Sequence, residues 1–318
     1  MRNWIQILMV FCLLPLVALA AGCNTAPAEE PTEPAASVFP IELIDQAGNT
    51  VSISRMPEKI VSLAPSNTEI VYALGLQDKL VAVTEHCDYP EEAKSKPKIG
   101  GFSSVDIEKV VALQPDLVLA TSRHEEDITP ELVRLGFTTL TLNPKNLDEV
   151  MAAISLTGRA AGAEDRADQL VAEMKARIKA VTDRTDTLAE SQRPRVFYLL
   201  WHDPLMTAGP KVIISELITM AGGINIAAGL DGDYPKMSLE AMIIADPEVI
   251  IADSGHGDGE ILSFTFAQSE SRLETIAARQ NDRVYKIDSD IVTIAGPRIV
   301  AGLEEMARLI HPEIFGQG

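Results

Sequence analysis

Two stretches of this chain are nearly copies of each other. Residues 106–120 read DIEKVVALQPDLVLA, and residues 238–252 read SLEAMIIADPEVIIA. Glu108 falls on Glu240, Pro115 on Pro247, Asp116 on Glu248 and Ala120 on Ala252, each 132 positions apart. Upstream lies a second echo: KIVSLAPSNTEIVYALG (59–75) resembles RVFYLLWHDPLMTAGPKVIISELITMAGG (195–223), which has a longer middle loop. A duplication of this size predicts two similar lobes in one polypeptide. Two lobes enclose a cleft, and clefts between domains are favoured places to bind small molecules. A solenoid does not fit, because its repeats run about 20–50 residues.

Each lobe reads as alternating strand and helix. KIVSLA (59–64) is a β-branched apolar run of the buried parallel kind. Ser66, Asn67, Thr68 and Glu69 follow with the S-x-x-E spacing of a capping box, which predicts a helix stopped at Gly75. Strand 79–84, helix 107–113, strand 116–120, helix 129–136 and strand 137–142 continue the alternation. This order predicts a parallel sheet covered by helices. Before it, residues 39–53 read as a hairpin around Ala47, Gly48 and Asn49. Residues 163–184 carry Ala167, Leu170, Val171, Met174, Ile178 and Val181 as one apolar stripe at helical spacing. That predicts a long helix bridging the lobes and packing on both. The second lobe is expected to run from strand 195–200 through helices near 211–221 and 239–245, strands 248–252 and 283–288, and a last helix over 296–310.

The N-terminus has a charged start at Arg2, an apolar run from Ile5 to Ala21, and then AAGC at 20–23. That is the layout of a signal peptide with a small-residue cleavage site. A transmembrane anchor is the competing reading, but the run is about as short as a span can be. The AAGC stretch resembles a bacterial lipoprotein signal, which implies cleavage before Cys23 and lipidation of that residue. NTAPAEEPTEPAAS (24–37) offers almost nothing to bury and reads as a disordered tether. The expected partition is 1–22 signal, 23–38 lipidated cysteine and tether, 39–160 N-terminal α/β lobe, 161–192 bridging helix and 193–318 C-terminal α/β lobe. A formal net charge of −19 argues against nucleic acid as partner. Of three cysteines, Cys12 would leave with the signal and Cys23 would be lipidated, so Cys87 is expected to have no intrachain partner and no disulfide framework is expected.

APSNTE (64–69), EHCDYPEEA (85–93), GG (100–101), the two Glu-helix-Pro-strand copies and AGPRIVAGLEEMARLIHPE (295–313) resemble the helix-backbone class of ABC-importer substrate-binding proteins. These deliver vitamin B12, ferric siderophores or haem. The resemblance covers the chain from about Phe39 to its end. The SNTE, CDYP and GPRIV segments look most like the cobalamin-binding branch. The resemblance implies two α/β lobes with mostly parallel sheets joined by one long helix, a monomer, and a membrane permease as partner. It implies no enzyme and no resident cofactor, with cobalamin as transported ligand and a ferric siderophore or haem as the alternative cargo. An extracytoplasmic enzyme is a third reading, which no G-x-S-x-G, H-E-x-x-H or P-loop pattern supports.

Asp106 and Ser238 are N-cap residue types, placing Glu108 and Glu240 in the first turns of matching helices. First-turn acids complement the helix dipole in any protein. The resemblance implies more: this pair docks on arginines of the permease, one lobe per subunit. The cleft is expected at the carboxyl ends of the strands. Its candidate ligand contacts are Ser66, Asn67, Asp88, Tyr89, Phe102, His124, Trp201, His202, Tyr234, Asp290 and Arg298. Trp201, Phe102 and Tyr89 are flat surfaces for a corrin or porphyrin ring, with a packed core residue as the plain alternative. Ser66 and Asn67 offer polar groups at a helix start, or simply cap it. Arg298 reaches the ligand or braces the cleft. His86, Cys87 and Asp88 are too close in sequence to chelate a structural metal, and no ligand spacing supports one. His86 or Cys87 as a single axial ligand is a minor alternative. GHGDG (255–259) lacks the glycine placement of a dinucleotide loop and no helix is evident after it, so a rim loop is expected.

Overall fold

The computed structural model describes residues 39–255 and 262–316. Cys23, the signal-like run and the tether lie outside the described residues, as do positions 256–261 of the glycine-rich stretch. Among the described residues, no helix is long and apolar enough to cross a membrane.

The chain opens with a hairpin, β1 (Ile41–Ile44) and β2 (Thr50–Ile53), paired antiparallel. The first α/β half follows: β3 (Ile60–Ser62), α1 (Pro65–Ala73), β4 (Leu80–Ala82), the small hairpin β5 (Gly100–Gly101) and β6 (Ser104–Val105), α2 (Ile107–Leu113), β7 (Leu117–Thr121), α3 (Ile128–Arg134) and β8 (Thr139–Leu142). Two helices then run in succession, α4 (Leu147–Ala161) and α5 (Glu164–Thr185). The second half contains β9 (Arg195–Leu199), the hairpin β10 (Trp201–His202) and β11 (Leu205–Met206), α6 (Ile213–Met220), β12 (Ile224–Asn225) and α7 (Leu239–Ala245). It closes with β13 (Val249–Asp253), α8 (Leu262–Ser269), α9 (Ala277–Gln280), β14 (Val284–Ile287), α10 (Asp290–Thr293), α11 (Ile299–Ile310) and α12 (Pro312–Phe315).

The duplication in sequence is a duplication in topology. One four-stranded sheet has the order β4-β3-β7-β8 and the other β12-β9-β13-β14. Every pairing within both is parallel. Strands β3, β7 and β13 are almost wholly buried, as apolar strands covered on both faces must be. The two copies even share their terminal details. Asp106 accepts from Lys109 N at 3.1 Å, and Ser238 accepts from Ala241 N at 3.1 Å. Each seven-residue helix buries one central side chain, Val110 or Met242. Each ends on a left-handed residue, Gln114 at φ 51° or Asp246 at φ 44°. The acid that starts the next strand then ties back to the strand beside it: Asp116 accepts from Lys59 N at 2.9 Å, and Glu248 from Arg195 N at 3.0 Å.

The long bridging helix is α5. Ala167, Leu170, Met174 and Val181 of its stripe are buried. It packs on α4 from one side and on α6 and α11 from the other. A single apolar cluster therefore runs through both halves, from Leu119 and Ile154 to Ile251 and Leu303. The chain did not advertise α4 separately. Its start is nonetheless capped: Asn146 Oδ1 accepts from Glu149 N at 2.8 Å, and Glu149 Oε2 accepts from Lys145 N at 2.7 Å.

The S-x-x-E expected to cap α1 does something else. The helix begins at Pro65 with Ala64 as its cap residue, and no side chain caps it. Proline supplies the first helical position without an N–H to satisfy. Glu69 is thereby released to make a contact across the molecule. A second correction concerns the glycine-rich stretch, because helix α8 does follow it.

Candidate functional site

A cavity of about 960 Å³ opens at the carboxyl ends of the first sheet. Its wall comes from the segments after β3 (Ala64–Ser66), β4 (Glu85, His86, Asp88), β7 (Thr121, Ser122, Arg123) and β8 (Leu142, Asn143, Pro144). The β5–β6 hairpin adds Gly101, Phe102, Ser103 and Ser104. The opposing wall is Asp290, Thr293, Ile294 and Ala295 of the second half. The cavity is thus an inter-half cleft at the place where parallel sheets present their loops. Its size suits a large small molecule.

Local folding explains how these groups reach the cleft. Gly100 sits at φ 94°, and a Cβ there would lie 2.5 Å from Ser104 O. Only glycine allows that tight hairpin, whose tip carries Phe102 and Ser103. Arg123 Nε donates to Ser103 Oγ at 3.1 Å and links this tip to the loop after β7. Beneath it His124 is wholly buried. Thr121 N donates to its Nδ1 at 3.1 Å, so Nε2 carries the hydrogen and donates to Phe102 O at 2.8 Å. The His124 ring also meets Phe102 edge-on, centroids 5.4 Å apart. Burial pushes the His124 pKa below its ordinary value, the Phe102 hydrogen bond and Asp127 pulling the other way. A neutral imidazole here braces the hairpin.

Of the residues singled out in the sequence, Ser66, Asp88, Phe102 and Asp290 converge on the cavity. Others do not. His124 is a correction, since both ring nitrogens are spent inside the fold. Asn67 is another: it is 1% exposed, and its amide donates to Ala120 O at 3.0 Å, tying α1 to β7. Cys87 is buried beside Thr68 and Thr84, each at 3.2 Å from its sulfur, whereas His86 lines the cleft. No group of three or more potential metal ligands occurs among the described residues.

Trp201, His202 and Tyr234 belong to the second half and are absent from the cavity wall. Trp201 stands 44% exposed, its Nε1 donating to Asp203 O at 2.7 Å. Its ring lies 5.0 Å from that of His202, which lies 5.7 Å from Phe266. Tyr234 is likewise exposed. Arg298 does not line the cavity either. Its Nε and Nη2 donate to Glu69 Oε1 at 3.0 and 2.6 Å, and its guanidinium lies over the Tyr89 ring at 3.8 Å. Glu69 and Arg123 were missed by sequence reasoning. The signal for Glu69 was a lone acid entering the apolar turn IVYAL. For Arg123 it was a position in a loop already expected at the cleft. Glu108 and Glu240 are both exposed on their matching helices.

The periplasmic binding protein family model matches residues 60–291. The chain belongs to that family. An uncharacterized ABC transporter substrate-binding lipoprotein of Bacillus subtilis, YvrC, is 37% identical over 314 residues, 95% of this chain and 96% of that one. A vitamin B12-binding protein of Vibrio cholerae is 32% identical over 250 residues, covering 78% of this chain and 87% of its own. The crystal structure of the periplasmic vitamin B12 binding protein BtuF of Vibrio cholerae superposes with a TM-score of 0.68 at 28% identity, over 82% of this chain and 99% of that one. The protein is thus one of the substrate-binding proteins of ABC transporters, in the two-lobed class joined by a helix. Members of this family are not enzymes. The protein's cavity lies between the loops of the first sheet and the Asp290–Ala295 segment of the second half.

Proposed function

We propose that this protein captures cobalamin in the inter-half cleft, outside the cytoplasmic membrane, and hands it to an ABC permease. The 32% identity to a protein named for vitamin B12 binding is the observation that most supports this cargo. The cleft chemistry agrees with it. Ser66, Ser103, Ser122 and Asn143 offer hydrogen bonds suited to a ligand rimmed by amide groups, and Phe102 offers an apolar face. Isothermal titration with cyanocobalamin is expected to give one site per chain, with colour retained through desalting. Heat from haem or a ferric siderophore, with none from cyanocobalamin, would reject this cargo.

The same reading places the protein on the membrane through lipid on Cys23, with the 24–37 stretch as a tether. Fatty-acid labelling in the producing cell is expected to be lost in Cys23→Ser, with release of the protein to solution. Labelling that persists in that variant would refute the anchor. Glu108 and Glu240, one on each duplicated helix, are proposed as the permease contacts. Charge-assisted pairs with arginine suit such orientation.

A further inference from the structure

A buried ion pair joins the two halves outside the cleft wall. Glu69 leaves the first turns of α1, and Arg298 precedes α11, 229 positions away in the chain. The Glu69 side chain is 2% exposed and that of Arg298 18%. Gly296 makes the approach possible, since a Cβ there would lie 2.9 Å from Glu69 Oε2. That Oε2 is buried and has no hydrogen-bond partner among the described residues. Arg298 in turn covers the ring of Tyr89, which follows β4 and stands 46% exposed. One guanidinium therefore joins three pieces: α1, the segment beside the cleft residue Asp88, and the start of the last long helix. A cation over an aromatic face and a two-point contact to one carboxylate oxygen both fix orientation.

We propose that Glu69 and Arg298 form a latch that holds the two halves in register at the cleft and positions Tyr89 at its rim, and that loss of the Glu69 proton loosens it. Arg298 and Tyr89 act here as positioning residues. The charged groups that act on Glu69 are Arg298, from the turn before α11, and Asp290, from α10. Burial is the largest influence and raises its pKa to about 7, Arg298 opposing and Asp290 reinforcing that rise. The carboxylate is accordingly only half committed near neutrality. Because its ordinary value is 4.5, the folded chain holds a proton that the unfolded chain has lost between pH 4.5 and about 7. This group's contribution to stability is thus fully present below pH 4.5 and is lost as pH rises through about 7. Latch strength runs the same way: opening the buried carboxyl to water brings its pKa back toward 4.5, so the proton favours the latched form, and the partnerless Oε2 makes the ionised form costly there. Rising pH therefore loosens the latch.

The proposal deepens the cleft reading, but its test needs no ligand, so either can fail alone. Spin labels on Glu126→Cys and Asp231→Cys, exposed sites in the two halves, report the inter-half distance in the full chain. A narrow distribution is expected at pH 5.5 and a broadened one at pH 8.5. Glu69→Gln, neutral at both values, is expected to be narrow at both. Arg298→Lys, which cannot make the two-point contact, is expected to be broad at both. A wild-type distribution unchanged with pH, or a variant that responds to pH as the wild type does, would overturn the latch.

Discussion

Changing both Glu108 and Glu240 to lysine is expected to abolish uptake while leaving ligand affinity unchanged. The helices that carry them are alike in length, cap, central buried residue and left-handed end. Neither glutamate lines the cavity. Both are exposed, so the loss of an isolated surface charge would cost the fold almost nothing, about 0–1 kcal/mol. At an interface the arithmetic differs. Charge pairs desolvated between proteins couple by several kcal/mol, and like charges set face to face cost a similar amount. A loss of about 2.7 kcal/mol is about 100-fold in docking affinity. The alanine double variant should fall between wild type and the lysine pair. The readout is uptake of labelled ligand beside titration of the purified variant. Full uptake by the double-lysine variant would return both residues to the role of first-turn helix acids.

Much of the fold was legible because it rests on periodicity and repetition. Buried apolar strands and the stripe on α5 are local patterns that each correspond to an element, and the 132-residue offset corresponds to a repeated half. The duplication was the most productive, since it foretold two sheets of one topology. The site was only partly legible. Asp88, Phe102 and Asp290 line the cavity, and their place after strand ends is a pattern the sequence carries. His124 follows β7 and Asn67 lies in the first turn of α1, yet both point into the fold. A sequence position does not tell which way a polar side chain turns, and each of these two found a backbone partner within the fold. Glu69 was hidden for a related reason. The same S/N-x-x-E spacing caps α4 through Asn146 and Glu149, but at α1 proline had already begun the helix one residue earlier. The partner of Glu69 lies 229 residues away, beyond any local pattern.

The proposed function requires that ligand bind in the inter-half cleft. Ser122 follows β7, lines the cavity and is half-buried, so a larger side chain there projects into the space rather than into the core. Ser122→Trp is expected to fill much of the ligand's volume and to weaken cyanocobalamin binding by at least about 100-fold, or about 2.7 kcal/mol. Its thermal unfolding should stay close to that of the wild type, because the loop is at the surface of a cavity and not in a packed interior. The decisive measurement is a parallel calorimetric titration of wild type and Ser122→Trp with cyanocobalamin. One tight site in the wild type and its loss in a folded variant is the predicted result. Undiminished affinity in Ser122→Trp would contradict binding in the inter-half cleft.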